Sequence, residues 1–211
     1  MLFVFVFLYF MTFVLFLFLK MKYKKNENEL RTVFFNIDLK RYCKDFFKNN
    51  NIKEIDCVEG NIYAFNIFQN KILIKKNDSM NLFYLFAITH ELFHYHDATI
   101  SKLYSFIYKL LSILFLVNKL LLTPFLIIVF FLSIFVKNIS FIEISYTLPF
   151  FVFVTISVIR ILFLPMLEIK ASKGALNYIM SNVPEVNEPY TVLLSKTYRL
   201  AMTDQLLIAM Y

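Results

Sequence analysis

The chain of 211 residues has no tryptophan, two glycines and two cysteines. Cys43 and Cys57 form no C-x-x-C pair, so no paired-cysteine metal or redox motif is present. Cys43 falls on the apolar face of an expected helix and Cys57 in an expected strand, so both read as core thiols. Acidic residues are the scarcer charge, 15 against 22 Lys and Arg, which leaves a net charge of +7. No aromatic–basic nucleic-acid pattern goes with that charge. The lysines cluster beside apolar runs instead, as membrane orientation requires. The sequence also lacks an internal repeat, a low-complexity linker and a second domain. Hydrophobic residues are abundant, at 59% with a mean hydropathy of +0.63, too apolar for an ordinary soluble domain. The 27 phenylalanines, with many Lys, Asn, Ile and Tyr, fit the bias expected of an AT-rich genome and say little about function.

Histidine occurs three times, as His90, His94 and His96, all in one short stretch. His90-Glu91-Leu92-Phe93-His94 is an H-E-x-x-H pattern. On a helix, residues four apart share a face one turn apart, so the two imidazoles can grip one Zn²⁺ while Glu91 acts on its water. Leu82, Phe83, Leu85, Phe86, Ala87, Ile88, Leu92 and Phe93 make the surrounding helix apolar nearly all round, which predicts burial. A buried carboxylate with two imidazoles is costly unless paired or metal-bound. The competing expectation is a core helix whose histidines are satisfied by neighbouring carbonyls.

Residues 2–19 are almost unbroken apolar, and Lys20, Lys22, Lys24 and Lys25 follow. A signal peptide would carry its charge before the apolar run and a small-residue cleavage site after it; neither is present. The run is expected to be a transmembrane anchor (residues 1–19), with residues from 20 onward cytoplasmic. Residues 20–37 read as a polar connection and 38–50 as a helix capped by Asp38, with Leu39, Tyr42, Cys43, Phe46 and Phe47 on one stripe. Next come an expected strand at 52–58, a turn at Gly60-Asn61, and a hairpin of 62–68 with 71–75 around Gln69-Asn70. Asp78 or Ser79 is expected to start the histidine helix.

Beyond it, 105–118 is short for a span, 120–136 and 147–164 are stronger ones, and 137–146 reads as a loop. Arg160 is placed to snorkel to headgroups. Pro165 is expected to end or kink the span before a helix at 167–182 that begins near Glu168. A turn at 183–188 and a last helix from Pro189 to about 210 complete the chain.

A catalytic zinc usually takes three protein ligands. The metzincin third histidine is absent, since position 100 is Ile. His96 points to another side of the helix. Glu143 falls across the membrane after one crossing, whereas Glu168 returns to the side of His90 and His94 after two. Asp97 and Glu168 remain.

With these residues in hand, the layout resembles the YugP-type neutral zinc metallopeptidases, membrane-bound bacterial enzymes. Their pattern has an N-terminal span, a small domain, an H-E-x-G-H helix, two spans, and a segment like L-P-x-E-F-D-A-S-x-x-A-L. Here that segment reads Leu164-Pro165-Met166-Leu167-Glu168-Ile169-Lys170-Ala171-Ser172-Lys173-Gly174-Ala175-Leu176. Glu168 falls one place later relative to the proline, and Ala171-Ser172 and Ala175-Leu176 match. The resemblance covers about residues 28–200. Phe93 replaces the family's glycine, and Lys170 replaces its aspartate. CAAX-protease and HtpX-type enzymes share the zinc pattern and a later glutamate, but follow it with an aspartate where this chain has Ser172.

The resemblance implies a mainly α, multi-pass membrane protein with a small β-hairpin or sheet and a zincin-like helix. Residues 20–211 would form one membrane-embedded metallopeptidase domain. His90, His94 and Glu168 would hold Zn²⁺, and Glu91 would be the general base. The substrate would be a membrane-associated or unfolded polypeptide, the partner surface a lipid bilayer rather than nucleic acid, and the location the inner membrane with the site facing the cytoplasm. A catalytically inactive relative acting as a scaffold is the alternative, and Lys170 is its best support.

Overall fold

The computed structural model describes the chain path of residues 2–75, 80–135, 139–184, 186 and 188–209. Side chains are described for 11, 14–75, 80–129, 132, 147–184, 186 and 190–200. The fold is mainly helical with one small sheet. In chain order the elements are α1 (Leu2–Arg31), α2 (Leu39–Asn49), β1 (Cys57–Gly60), β2 (Ala64–Asn66), β3 (Lys71–Lys75), α3 (Leu82–Ile100), α4 (Lys102–Val117), α5 (Thr123–Phe135), α6 (Ile139–Asn182) and α7 (Glu188–Ala209).

The apolar run of residues 2–19 lies on α1, although the expected anchor falls partly on side chains outside the described residues. Helix α2 starts where its cap predicts: Asp38 Oδ1 accepts from the Lys40 amide at 2.9 Å. Its stripe of Tyr42, Cys43, Phe46 and Phe47 is buried. The expected strand at 52–58 is shorter and later, because only 57–60 finds a partner. In the sheet, β3 lies central: β1 runs parallel to it with Cys57 opposite Ile72, and β2 runs antiparallel with Phe65 opposite Ile72. The hairpin around Gln69-Asn70 forms, with Asn70 taking φ 51° in its turn. Cys57 is exposed, not a core thiol, while Cys43 is buried as expected.

Asn81 begins α3 by accepting from the Tyr84 amide at 2.9 Å. Asp78 and Ser79, expected in that role, lie outside the described residues. The helix is buried on most of its faces, with Leu82, Leu85, Ile88 and Leu92 fully enclosed. One core joins α3 to α2, the sheet, the end of α6 and α7 through residues such as Phe46, Ile72, Ala175, Ile179 and Leu194. Each of the larger side chains among them, Phe46, Ile72, Ile179 and Leu194, contributes roughly 1.5–3 kcal/mol by leaving water.

Among the described residues, two helices are long and apolar enough to cross a membrane, Lys102–Val129 and Thr147–Asn182. The first differs from the expected break near 119. α4 runs on into α5 through a π-helical turn, Asn118–Leu122, where the Thr123 hydroxyl donates to the Asn118 carbonyl at 2.9 Å. The second also runs longer than expected. α6 spans 44 residues, starts inside the stretch expected as a loop, and contains Pro149 and Pro165. Proline removes one backbone donor, but in so apolar a stretch the remaining amides find partners only by staying helical. Glu168 therefore lies within a helix, not at its start. Nor does Arg160 snorkel: it is 3% exposed, with its guanidinium carbon 4.9 Å from the Phe115 ring centre.

Candidate metal centre

Helix α3 supplies two of the three groups. His90 and His94, one turn apart, bring their Nε2 atoms to 2.9 Å. Helix α6 runs antiparallel to α4 and returns past α3, carrying Glu168 with it. Glu168 Oε2 lies 3.1 Å from His90 Nε2 and Oε1 3.5 Å from His94 Nε2. Across the three residues, the ligand-capable atoms lie within 4.8 Å of one another.

The donor chemistry suits a divalent cation that accepts nitrogen and oxygen. Ligands about 2 Å from a tetrahedral centre stand about 3.3 Å apart, so an ion would need only small shifts of these side chains. The far ring nitrogens are already engaged. His90 Nδ1 lies 2.9 Å from Ser172 Oγ, and His94 Nδ1 lies 2.7 Å from the Tyr104 hydroxyl. With Nδ1–H donating to those oxygens, Nε2 of each ring is left with its lone pair toward Glu168. Ser172 is four residues after Glu168, so one face of α6 supplies both the carboxylate and the group that orients its neighbour.

Burial opposes a charged His90 ring, but the hydrogen bond and charge of Glu168, with the charge of Glu91, outweigh it. The net effect holds His90 above the usual histidine value. Glu91 Oε2 accepts from the Phe65 amide of β2 at 2.6 Å. The sheet thus buttresses α3 at the residue expected to act as base. Tyr108 lines the same side, with its ring centre 5.0 Å from that of His94 and 5.9 Å from that of Phe65.

The other candidates stay apart. His96 Nδ1 lies 3.1 Å from Asp97 Oδ1, and Lys170 Nζ lies 3.1 Å from Asp97 Oδ2. Burial pushes the Asp97 carboxyl up, but His96 and Lys170 overcome that and hold it low. The Lys170 ammonium also sits over the Tyr104 ring at 5.3 Å. Glu143 lies 25 residues before Glu168 on α6, about 37 Å along the helix, and its side chain is outside the described residues. Phe93 packs flat against the position of Gly174, where a Cβ would come within 2.5 Å of its ring. The bulky residue in the motif and the small one on α6 are therefore complementary.

Sequence reasoning missed Tyr104 and Tyr108 altogether, and neither carries a spacing signal. Ser172 could have been found, since it stands in the Ala171-Ser172 pair on which the resemblance rests. Comparisons with protein families, curated proteins and solved structures find no match for this chain.

Proposed function

We propose that the chain is a multi-pass, membrane-bound zinc metalloendopeptidase of the YugP type, with its site at the cytoplasmic face. The observation that carries this reading is the convergence of His90, His94 and Glu168 with Glu91 next to the first ligand. Zn²⁺ held by those three side chains would lower the pKa of its water to about 7 and polarise a peptide carbonyl.

The chain's own groups do the rest. Glu91 takes the proton from the attacking water as the C–O bond forms. It then delivers that proton to the amine nitrogen as the C–N bond breaks. Phe65 N–H holds the Glu91 carboxylate until a substrate arrives. β2 is an edge strand beside α3, so an extended polypeptide added there would run past Glu91. Such a mode favours membrane-associated or unfolded substrates over compact ones. Lys170, the departure that best supports an inactive relative, is answered in charge by Asp97.

The test compares the purified full chain with Glu91→Gln on an unfolded polypeptide, with bound zinc measured in both. We expect equal zinc and a loss of cleavage on the order of 10²–10⁴-fold. Equal cleavage by both proteins rejects the role of Glu91, and no bound zinc under metal-replete conditions rejects the metalloenzyme.

A further inference from the structure

Three more polar side chains are buried along these neighbouring helices, away from the proposed metal ligands: Ser157 and Arg160 on α6, and Asn118 at the π-helical turn that follows α4. Arg160 precedes Glu168 by eight residues on α6, about 12 Å along the helix. It is 3% exposed and sits over the Phe115 ring, and no carboxylate among the described residues pairs with it. Antiparallel packing extends that contact. One turn on along α4 from Phe115 is Asn118, and one turn back along α6 from Arg160 is Ser157. The Lys170–Tyr104 contact fits the same register. Asn118 is 1% exposed and Ser157 7%, and among the described residues neither the Asn118 amide atoms nor Ser157 Oγ has a hydrogen-bond partner.

Buried polar atoms are nearly always bonded, and a buried charge without a counter-charge is costly. Arginine within an apolar span marks a functional site and a missing partner by default. Water could satisfy Asn118 and Ser157 but would leave the guanidinium charge unbalanced. Glu143 is 17 residues away along α6, about 25 Å, too far to balance it. The three side chains together offer donors in quantity: a guanidinium fork, a carboxamide NH₂ and a hydroxyl. The π-helical turn begins at Asn118, where the helix widens, a feature frequent at functional sites.

We propose that Arg160, Asn118 and Ser157 form a binding site for a small anion between α4 and α6. The anion is either a halide from solution or the phosphate of a lipid headgroup reaching between the helices. Its role would be to neutralise Arg160 and fix the α4–α6 register, which also sets where Glu168 stands relative to α3.

The zinc-loaded full chain in phosphatidylcholine nanodiscs tests this by thermal unfolding. In one arm chloride replaces gluconate at constant ionic strength. In the other, gluconate is kept and phosphatidylglycerol is added to the lipid. A saturable rise in Tm on the order of a few degrees is expected in one arm, and the responding arm names the source. Ser157→Ala should weaken the response. Arg160→Gln should abolish it, while in gluconate without anionic lipid it should be at least as stable as the unaltered chain, since no charge is left uncompensated. No response in either arm, or an equal response in both variants, overturns the site.

Discussion

The Tyr104 hydroxyl lies 2.7 Å from His94 Nδ1, so α4 orients a candidate metal-holding ring that belongs to α3. That ring is 1% exposed, and water cannot replace the phenol there. Removing only the oxygen, in Tyr104→Phe, should leave the packing intact and free the ring to change tautomer or tilt. Zinc affinity should fall by roughly 10–100-fold, as measured by competition with a chelator. Ser172→Ala should have a similar effect through His90. Unchanged affinity in both would mean that these hydroxyls are incidental to the centre.

The Phe93–Gly174 pair carries a prediction about stability. A Cβ at Gly174 meets a ring that is itself held edge-on by Phe46 at 5.1 Å between ring centres, so the ring has little room to retreat. Gly174→Ala should therefore destabilise the chain by about 1–3 kcal/mol. In a Phe93→Ala background the clash is gone, and the same alanine should be nearly neutral or favourable in a helix interior. Chemical denaturation of the four proteins reads the coupling. Equal effects of Gly174→Ala in both backgrounds would show that the two positions do not interact.

How far the sequence reached follows from what kind of signal each feature leaves. His90 and His94 were legible because helical spacing is a local rule, and Glu168 because the segment around it matches a family pattern that carries a glutamate there. The cap at Asp38 and the turn at Asn70 were legible for the same local reason. The long run of α6 through Pro165 was not. A proline breaks a helix only where water or a turn can take up the freed groups, and that depends on surroundings rather than on the residue. Tyr104 was invisible because the helix it sits on gives no hint of which neighbour it faces. Arg160 was misjudged because long basic chains near span ends usually reach water, and the Phe115 face that holds it inward is set by tertiary packing.

The contest between proton and metal at His90 predicts a pH dependence. Its folded-state pKa is raised, so the protonated ring stabilises the metal-free chain. That contribution is full below the unfolded value of about 6.5 and is lost as pH rises through the higher folded value. Zinc requires the same Nε2 without its proton, so metal stabilisation runs the opposite way. Between about pH 5.5 and 8, the Tm of the metal-free chain relative to its His90→Gln variant should fall. The increment in Tm caused by zinc should grow over the same range. Circular dichroism melts of the chelated and zinc-loaded proteins measure both. Parallel curves for the two metal-free proteins would show that His90 gains nothing from its proton, and a zinc increment that is flat with pH would show that the metal does not compete for that nitrogen.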